Sequence, residues 1–357
     1  MQTTIDQYQA VIRAAAESKT PLRIRGGGTK DFYGNPAGEQ NRTLLDMTDY
    51  AGIVDYEPTE LVITARAGTR LADLEAELDR HGQMLAFEPP HFGVTATLGG
   101  CVAAGLSGPR RVAAGSVRDF VLGVRMLDGK GEDLHFGGQV MKNVAGYDVS
   151  RLMAGSMGTL GVLLEVSLKV LPKSAIETTL CMAMHEAAAI EKMNQWAGKP
   201  LPVSATCYAD GQLFVRLSGA EPAVRAAQVK LGGETLTDDK IFWQSVREHM
   251  HGFFQLGKPL WRLSVKSTAL SLLLPGKQLL EWNGGLRWLS TDGGEDAEAI
   301  RTTAKEAGGH ATLFRHNQSG ISVFHPLPSG MMKIHRALKE KFDPSGIFNP
   351  GRLYSEI

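Results

Sequence analysis

In Leu22-Arg23-Ile24-Arg25-Gly26-Gly27-Gly28-Thr29-Lys30, three consecutive glycines follow directly on a short apolar segment. This order predicts a strand that runs into a turn whose backbone carries no side chains. Amide groups at such a turn can approach a diphosphate closely. The stretch therefore indicates a phosphate-binding loop at the end of the first strand.

Two further glycine-rich stretches follow in the first half of the chain. One extends from Thr97-Leu98-Gly99-Gly100 to Ser107-Gly108, and the other is Gly155-Ser156-Met157-Gly158-Thr159-Leu160-Gly161. The G-x-G-x-x-G fingerprint of nicotinamide-binding domains is absent after the first strand, and so is the Walker pattern of nucleotide triphosphatases. We therefore expect three loops that hold a large phosphate-bearing cofactor mainly through backbone groups, in a different fold.

The composition excludes several other classes of function. The chain has 38 basic and 38 acidic residues, so there is no electrostatic case for binding nucleic acid. Cys101, Cys181 and Cys207 lie far apart, and neither an iron–sulfur cluster nor a zinc site is expected from them. The sequence has no apolar run of the length that spans a membrane, and Met1–Asp6 does not resemble the start of a signal peptide.

The chain divides into three predicted parts, with the first boundary where the glycine-rich stretches end. Residues 1–172 hold the three glycine-rich stretches, and we expect them to form a cofactor-binding domain. Strands, helices and hairpins alternate over residues 173–330, which predicts an α+β cap domain with an antiparallel sheet. Residues 331–357 are predicted to form a last helix and a turn-rich tail.

Individual elements are predicted where the spacing is clear. Apolar residues recur at helical spacing over 5–17 and alternate over Val162–Leu171, which predicts a helix and a half-buried strand. A hairpin is expected over 119–136, with Asp128-Gly129 as its turn. The three glycine-rich stretches are expected to be loops, and residues 242–254 are expected to form one helix.

Five stretches, taken together, form a pattern that is more specific than any single one of them. They are Ile24–Thr29, Ala96–Gly108, Ser116–Asp119, Gly155–Val162 and the tail Phe342–Arg352. In this order and spacing they resemble the FAD-binding domain shared by the vanillyl-alcohol oxidase and p-cresol methylhydroxylase group. The resemblance covers nearly the whole chain. It implies an α+β fold, with a two-lobed FAD-binding domain over 1–172, a cap domain over 173–330 and a tail that returns to the FAD-binding domain.

Two stretches narrow this resemblance further. Arg23–Gly34 and Lys142–Leu152 are similar to the FAD-binding subunits of bacterial glycolate oxidase (glycolate dehydrogenase) complexes. The resemblance implies two partners, a larger FAD-containing subunit and an iron–sulfur subunit. Together they would oxidise glycolate, or D-lactate, to the 2-oxo acid and pass electrons towards membrane quinones. It also implies a cytoplasmic location, free or peripheral to the inner face of the membrane through the partner subunits.

The resemblance assigns cofactor contacts to the loops and the tail. Arg25 or Lys30 would neutralise the phosphates or, alternatively, be solvated at the rim. Arg352 would lie near the flavin ring or, alternatively, form a salt bridge. The assigned cofactor-binding residues are Arg25, Gly26, Gly27, Gly28, Thr29, Lys30, Thr97, Gly99, Gly100, Ser107, Gly108, Arg118, Gly158, Thr159, Gly161, Val162, Asn349 and Arg352.

The attachment of FAD is predicted to be non-covalent. Several members of the wider family bond FAD to a histidine just after the first glycine loop, where this chain has Thr29 and Lys30. Cys101 could be proposed as a covalent link, but a small buried side chain packed against the cofactor is the favoured interpretation.

One departure from the family concerns the substrate. Larger relatives carry a histidine-rich metal motif, whereas His310–Gly320 lacks its Asp-Gly-Asn core. His316 and His325 have poor spacing for a metal, so no metal site and no catalytic residue are assigned. Three hypotheses follow: an electron-transferring subunit, a self-sufficient FAD-dependent 2-hydroxy-acid dehydrogenase, and a flavin-free assembly subunit. The intact glycine stretches disfavour the third and the missing motif disfavours the second.

Overall fold

The computed structural model describes residues 2–36, 42–138, 148–294, 296–315 and 320–357. No helix in these ranges is both long and apolar enough to cross a membrane. The elements up to residue 172 are α1 (Gln2–Ser18), β1 (Leu22–Arg25), β2 (Thr43–Asp46), β3 (Ile53–Glu57), β4 (Val62–Arg66), α2 (Leu71–Arg80), β5 (Gln83–Met84), α3 (Leu98–Ala104), α4 (Arg111–Ala114), α5 (Val117–Phe120), β6 (Val121–Leu127), β7 (Asp133–Gly137), the 3-10 turn Ser150–Met153, β8 (Val162–Lys169) and β9 (Leu171–Pro172).

This first part is built on an antiparallel sheet in the order β3-β4-β8-β6-β7, with β1 and β2 as a separate parallel pair. Along β8 the buried side chains of Leu164, Val166 and Leu168 alternate with more exposed polar ones, which confirms the predicted half-buried strand. The predicted helix at the N-terminus is also confirmed. Its apolar side packs with Leu22 of β1 and with Phe348 of the tail.

The second part contains one large sheet covered by helices. Its elements are β10 (Ile176–Ala183), α6 (Glu186–Ala197), β11 (Val203–Ala209), β12 (Gln212–Gly219), α7 (Glu221–Leu231), β13 (Glu234–Thr235), α8 (Asp239–Arg247), the 3-10 turn Gly252–Gln255, β14 (Leu260–Ser264), β15 (Lys277–Glu281), the 3-10 turn Trp282–Gly284, β16 (Leu286–Ser290), α9 (Ala297–Glu306), β17 (His310–Arg315) and α10 (Ser329–Phe342). The antiparallel order β13-β10-β12-β11-β15-β16-β14-β17 confirms the α+β expectation. The domain limits at residues 172 and 330 stay a prediction.

Two local predictions were wrong, and one strand was missed. The second glycine-rich stretch is not only a loop, because α3 forms within it, capped by the Thr97 hydroxyl and ended by Gly105 in the left-handed conformation. Residues 242–254 do not form one helix. The helix α8 ends at Arg247, and His249 has a φ of 55°, which a continuing helix does not allow. Strand β15 was not anticipated.

A buried ion network joins the two parts of the chain. The Glu88 carboxylate accepts from the Arg110 backbone amide at 2.9 Å and from the Arg216 guanidinium at 3.0 Å. Arg110 also binds Glu177. Burial alone would raise the pKa of Glu88, but the charges of Arg216 and Arg110 lower it. The network therefore links the first part of the chain to the large sheet of the second part.

Candidate functional site

The first glycine-rich stretch forms an open cradle of backbone amides. Strand β1 ends at Arg25, and the N–H groups of residues 26–30 donate to no group among the described residues. They line a cleft of about 670 Å³ together with Thr97, Gly100 and Asn349. Successive unpaired amides of this kind bind anions. The cradle therefore fits the diphosphate of a dinucleotide.

The glycines are needed because this loop packs directly against the second stretch. A Cβ on Gly27 would stand 1.6 Å from the Thr95 carbonyl oxygen, and a Cβ on Gly26 would stand 2.2 Å from Thr97 Oγ1. Gly28 has a φ of +71°, which favours glycine. Side chains at these positions would push the two stretches apart and distort the cradle.

The second and third stretches extend the cleft. An adjoining space of about 470 Å³ is lined by Gly99 and Thr97 from the second stretch and by Gly158 and Gly161 from the third. It shares Gly26, Gly100 and Asn349 with the first cleft, so the two spaces are continuous. The structure thus brings the three predicted glycine-rich stretches together around one elongated cleft.

The tail completes this cleft through one side chain. Asn349 Oδ1 accepts from the Ile24 N–H at 3.0 Å, and its Nδ2 donates to the Met157 carbonyl at 2.8 Å. The amide thereby ties β1 to the third glycine-rich stretch, although Asn349 lies far from both in sequence. Its φ of 38° is a conformation that asparagine tolerates better than most residues.

We expect Asn349→Ala to destabilise the protein by about 2–4 kcal/mol, because it leaves a buried donor and a buried acceptor unpaired. Asn349→Asp keeps the acceptor for Ile24 but places a charged oxygen against the Met157 carbonyl in a buried position. Its loss is therefore expected to be at least as large as that of the alanine variant. Urea denaturation of both variants measures this, and equal stability of wild type and Asn349→Ala would contradict the role of the amide.

The predicted cationic residues lie around the cradle with protein partners. Arg25 Nε binds Asp31 at 3.0 Å and shares that carboxylate with Arg23, and Lys30 donates to the His91 carbonyl at 3.2 Å. Lys30 is therefore not simply a solvated rim charge. The guanidinium of Arg352 forms no ion pair with any described residue. It donates instead to the carbonyl groups that follow the cradle, those of Asp31, Tyr33 and Asn35.

The other predicted residues divide into cavity walls and supports. Ser107 and Arg118 line a third cavity, described below. The remaining three lie behind the walls: Gly108 accepts from the Trp282 indole, Thr159 donates to the Ser156 carbonyl, and Val162 is fully buried. Their cofactor contacts, like those of the whole predicted set, stay a prediction.

Cys101 has the surroundings expected of a small buried side chain. It lies in the hydrophobic core, and burial raises the pKa of its thiol to about 12. A thiol that stays protonated is a poor nucleophile. The interpretation as buried filler is therefore favoured over a covalent link to a flavin.

The third cavity, of about 850 Å³, lies between the two parts of the chain. Tyr33, Ser107, Arg111 and Arg118 line it from the first part. Arg262, Trp282 and His310 line it from the second part, and Ala104 and Met157 connect it to the cradle cleft. Arg111, Arg262 and Trp282 were not found from the sequence, because no local motif marks residues that meet only when the two sheets pack together.

Two features used in the sequence analysis lie partly outside the described residues. These are Lys142–Tyr147 of the motif Lys142–Leu152, and His316. The described His325 accepts weakly from the Ala311 N–H at 3.4 Å, and burial lowers the pKa of its imidazole. Within the described ranges no group of three or more histidine, cysteine or acidic residues is arranged to hold a metal ion.

Comparison with known proteins places this chain in a family. The model of the FAD binding domain matches residues 2–137. The glycolate oxidase subunit GlcE of Escherichia coli K12 is 49% identical over 346 residues, which are 97% of this chain and 96% of that protein. The chain belongs to the FAD-binding family that includes this subunit. The predictions of the family, of its fold and of FAD as the cofactor are confirmed.

Other members of the family match only part of the chain. A D-lactate dehydrogenase of Archaeoglobus fulgidus is 32% identical over 50% of this chain and 39% of its own length. The glycolate oxidase subunit GlcD of Bacillus subtilis is 28% identical over 51% of this chain and 38% of its own. A solved structure of alkyldihydroxyacetonephosphate synthase has a TM-score of 0.65 at 16% identity, covering 96% of this chain and 73% of that one, and so shares the fold.

Proposed function

We propose that this chain is the smaller FAD-binding subunit of a multi-subunit glycolate oxidase, which oxidises glycolate to the 2-oxo acid and passes the electrons on. The observation that carries this proposal is the 49% identity to a glycolate oxidase subunit along nearly the full length of both proteins. D-Lactate is a second candidate substrate, because two relatives that match about half of the chain are D-lactate dehydrogenases. The proposed partners are a larger FAD-containing subunit and an iron–sulfur subunit, through which the complex would associate with the membrane.

The cleft fits FAD by its donors and its shape. The unpaired amides of residues 26–30 would bind the diphosphate, and Asn349 would keep β1 and the third glycine-rich stretch at the spacing that the cleft requires. FAD, when bound, would supply the two-electron redox chemistry for the oxidation of a hydroxy acid. The chain's own residues would orient the cofactor and exclude water from it, and the attachment is proposed to be non-covalent.

A spectrum of the full chain purified alone tests this proposal. We expect flavin absorbance bands, and we expect acid precipitation to release the flavin into the supernatant because no covalent bond holds it. Glycolate is then added without oxygen, before and after the partner subunits. Flavin that stays oxidised until the partners are added supports the electron-transferring subunit.

Two other results would contradict the proposal in different ways. A folded chain without flavin bands would favour an assembly role. Flavin that is reduced by glycolate in the chain alone would favour the second candidate function, a self-sufficient 2-hydroxy-acid dehydrogenase. The cavity between the two parts of the chain makes that second candidate worth testing, since a small acid can reach it.

A further inference from the structure

Two arginines, one from each part of the chain, line the third cavity. Arg111 of α4 and Arg262 of β14 both lie over the ring of Trp282, with guanidinium carbons 4.4 Å and 5.2 Å from the ring centroid. Stacking on an aromatic ring holds a guanidinium in place and leaves its N–H donors free. Neither guanidinium forms a hydrogen bond or an ion pair with any described residue. The donors of both therefore remain available to a ligand.

The cavity carries an uncompensated positive charge. Arg118 adds a third guanidinium, and none of the described residues that line the space is acidic. Burial lowers the pKa of Arg111, and the charge of Arg262 lowers it further. Positive charges that line one cavity without an anion repel one another, and a bound anion would relieve this repulsion.

The nearby carboxylates of Glu281 and Asp119 do not act as the anion that would balance these arginines. Glu281 accepts from the Trp288 indole at 2.8 Å, and burial raises its pKa to about 7. It therefore carries only part of a negative charge at neutral pH. Asp119 is engaged by the backbone amide and the hydroxyl of Ser116, at 2.8 Å and 2.9 Å. Neither carboxylate forms an ion pair with Arg111 or Arg262.

Neutral polar groups complete the wall. Tyr33 and His310 line the same cavity. Burial raises the pKa of the Tyr33 phenol and lowers that of the His310 imidazole, so both are neutral near pH 7. A hydroxyl group on a small acid would find hydrogen-bonding partners beside the arginines without meeting another charge.

We infer that this chain itself binds the carboxylate of a small 2-hydroxy acid, through Arg111 from the first part of the chain and Arg262 from the second. This inference rests on the proposed function and assigns the substrate to a cavity in this subunit. A carboxylate has two oxygens, which match the paired donors of a guanidinium. A ligand bound in this way would also link the two parts of the chain, since each part supplies one arginine.

The test is the affinity of the full chain, purified with its FAD, for oxalate. Oxalate carries the carboxylate but has no C–H bond to oxidise, so binding is separated from turnover. Perturbation of the flavin spectrum measures the Kd, and heat of binding confirms it. We expect saturable binding by wild type, and binding about 10- to 100-fold weaker in Arg262→Met and in Arg111→Met, as the loss of a charged hydrogen bond predicts.

Two further variants separate a specific contact from a change in net charge. Arg262→Lys keeps the charge but loses the planar pair of donors, so its affinity should lie between those of wild type and Arg262→Met. Arg225→Met removes a positive charge from an exposed ion pair on α7 and should bind oxalate as wild type does. Ethylene glycol, which has hydroxyl groups and no carboxylate, should not bind saturably.

Three results would overturn the inference while leaving the FAD-binding role intact. They are the absence of saturable oxalate binding in a flavin-loaded wild type, an unchanged Kd in both methionine variants, and an equal loss in Arg225→Met. Loss of FAD from a folded Arg262→Met would also overturn it, since the arginine would then hold the cofactor. Failure of wild type to contain FAD would instead count against the proposed function.

Discussion

Gly27→Ala is expected to abolish the retention of FAD. A Cβ at this position would stand 1.6 Å from the Thr95 carbonyl oxygen and 2.4 Å from its carbon, and both atoms belong to backbone. The clash cannot be relieved by the rotation of a side chain, so the cradle must move away from the second glycine-rich stretch. Because binding depends on several amides pointing at one diphosphate, we expect affinity for FAD to fall by more than about 100-fold.

The ratio of flavin absorbance to protein absorbance after purification measures this prediction. The matched control is Gly330→Ala, because a Cβ at Gly330 meets nothing within 4 Å and the residue lies in helix α10. This control should keep its flavin and gain up to about 0.5–1 kcal/mol of stability. A Gly27→Ala protein that purifies with wild-type flavin content would show that the cradle does not hold the cofactor.

Asp343→Ala is expected to cause a large loss of stability. The Lys339 ammonium is buried, and it donates to Asp343 at 2.7 Å and to the carbonyls of Thr159 and Phe348 at 2.8 Å each. Asp343 also accepts from the backbone amides of Ile347 and Phe348. Removing the carboxylate leaves a buried charge and two buried amides unpaired, and we expect a loss of about 3–5 kcal/mol.

Denaturant unfolding monitored by tryptophan fluorescence and by circular dichroism measures the loss. Asp79→Ala is the comparison, since Asp79 forms an exposed ion pair with Lys173 and such pairs contribute about 0–1 kcal/mol. If the Asp343 and Asp79 variants lost the same stability, the buried pair would not anchor the tail. The Asp343 variant should also lose FAD, because Phe348 immediately precedes Asn349.

Sequence patterns predicted those parts of the site whose residues are close together in the chain. The cradle at Gly26–Gly28 was predicted because the strand, the turn and the absence of side chains are adjacent in the chain. Strand β8 was predicted because alternation of Leu164, Val166 and Leu168 has period two. The helix α3 was missed because glycines disfavour helices, and only the Thr97 cap and the packing against Ala67 make it form there.

Features that depend on distant packing could not be found in this way. The break after Arg247 arises where His249 stacks on Phe254 and also contacts Phe92, which belongs to the other part of the chain. Arg111 and Arg262 line the same cavity only because the two parts of the chain meet at Trp282. The family motif identified Asn349 as a candidate site residue, but nothing in the sequence predicted its two hydrogen bonds.

Strand β1 is hydrogen-bonded to residues 347–349, and this pairing affects when the cradle can form during biosynthesis. Leu22 donates to the Ile347 carbonyl at 2.7 Å and accepts from the Asn349 amide at 3.0 Å. These partners are more than 300 residues apart, so the cradle stays incomplete until residues 347–349 have been synthesised. Copies of the chain that stop before these residues are expected to lack flavin.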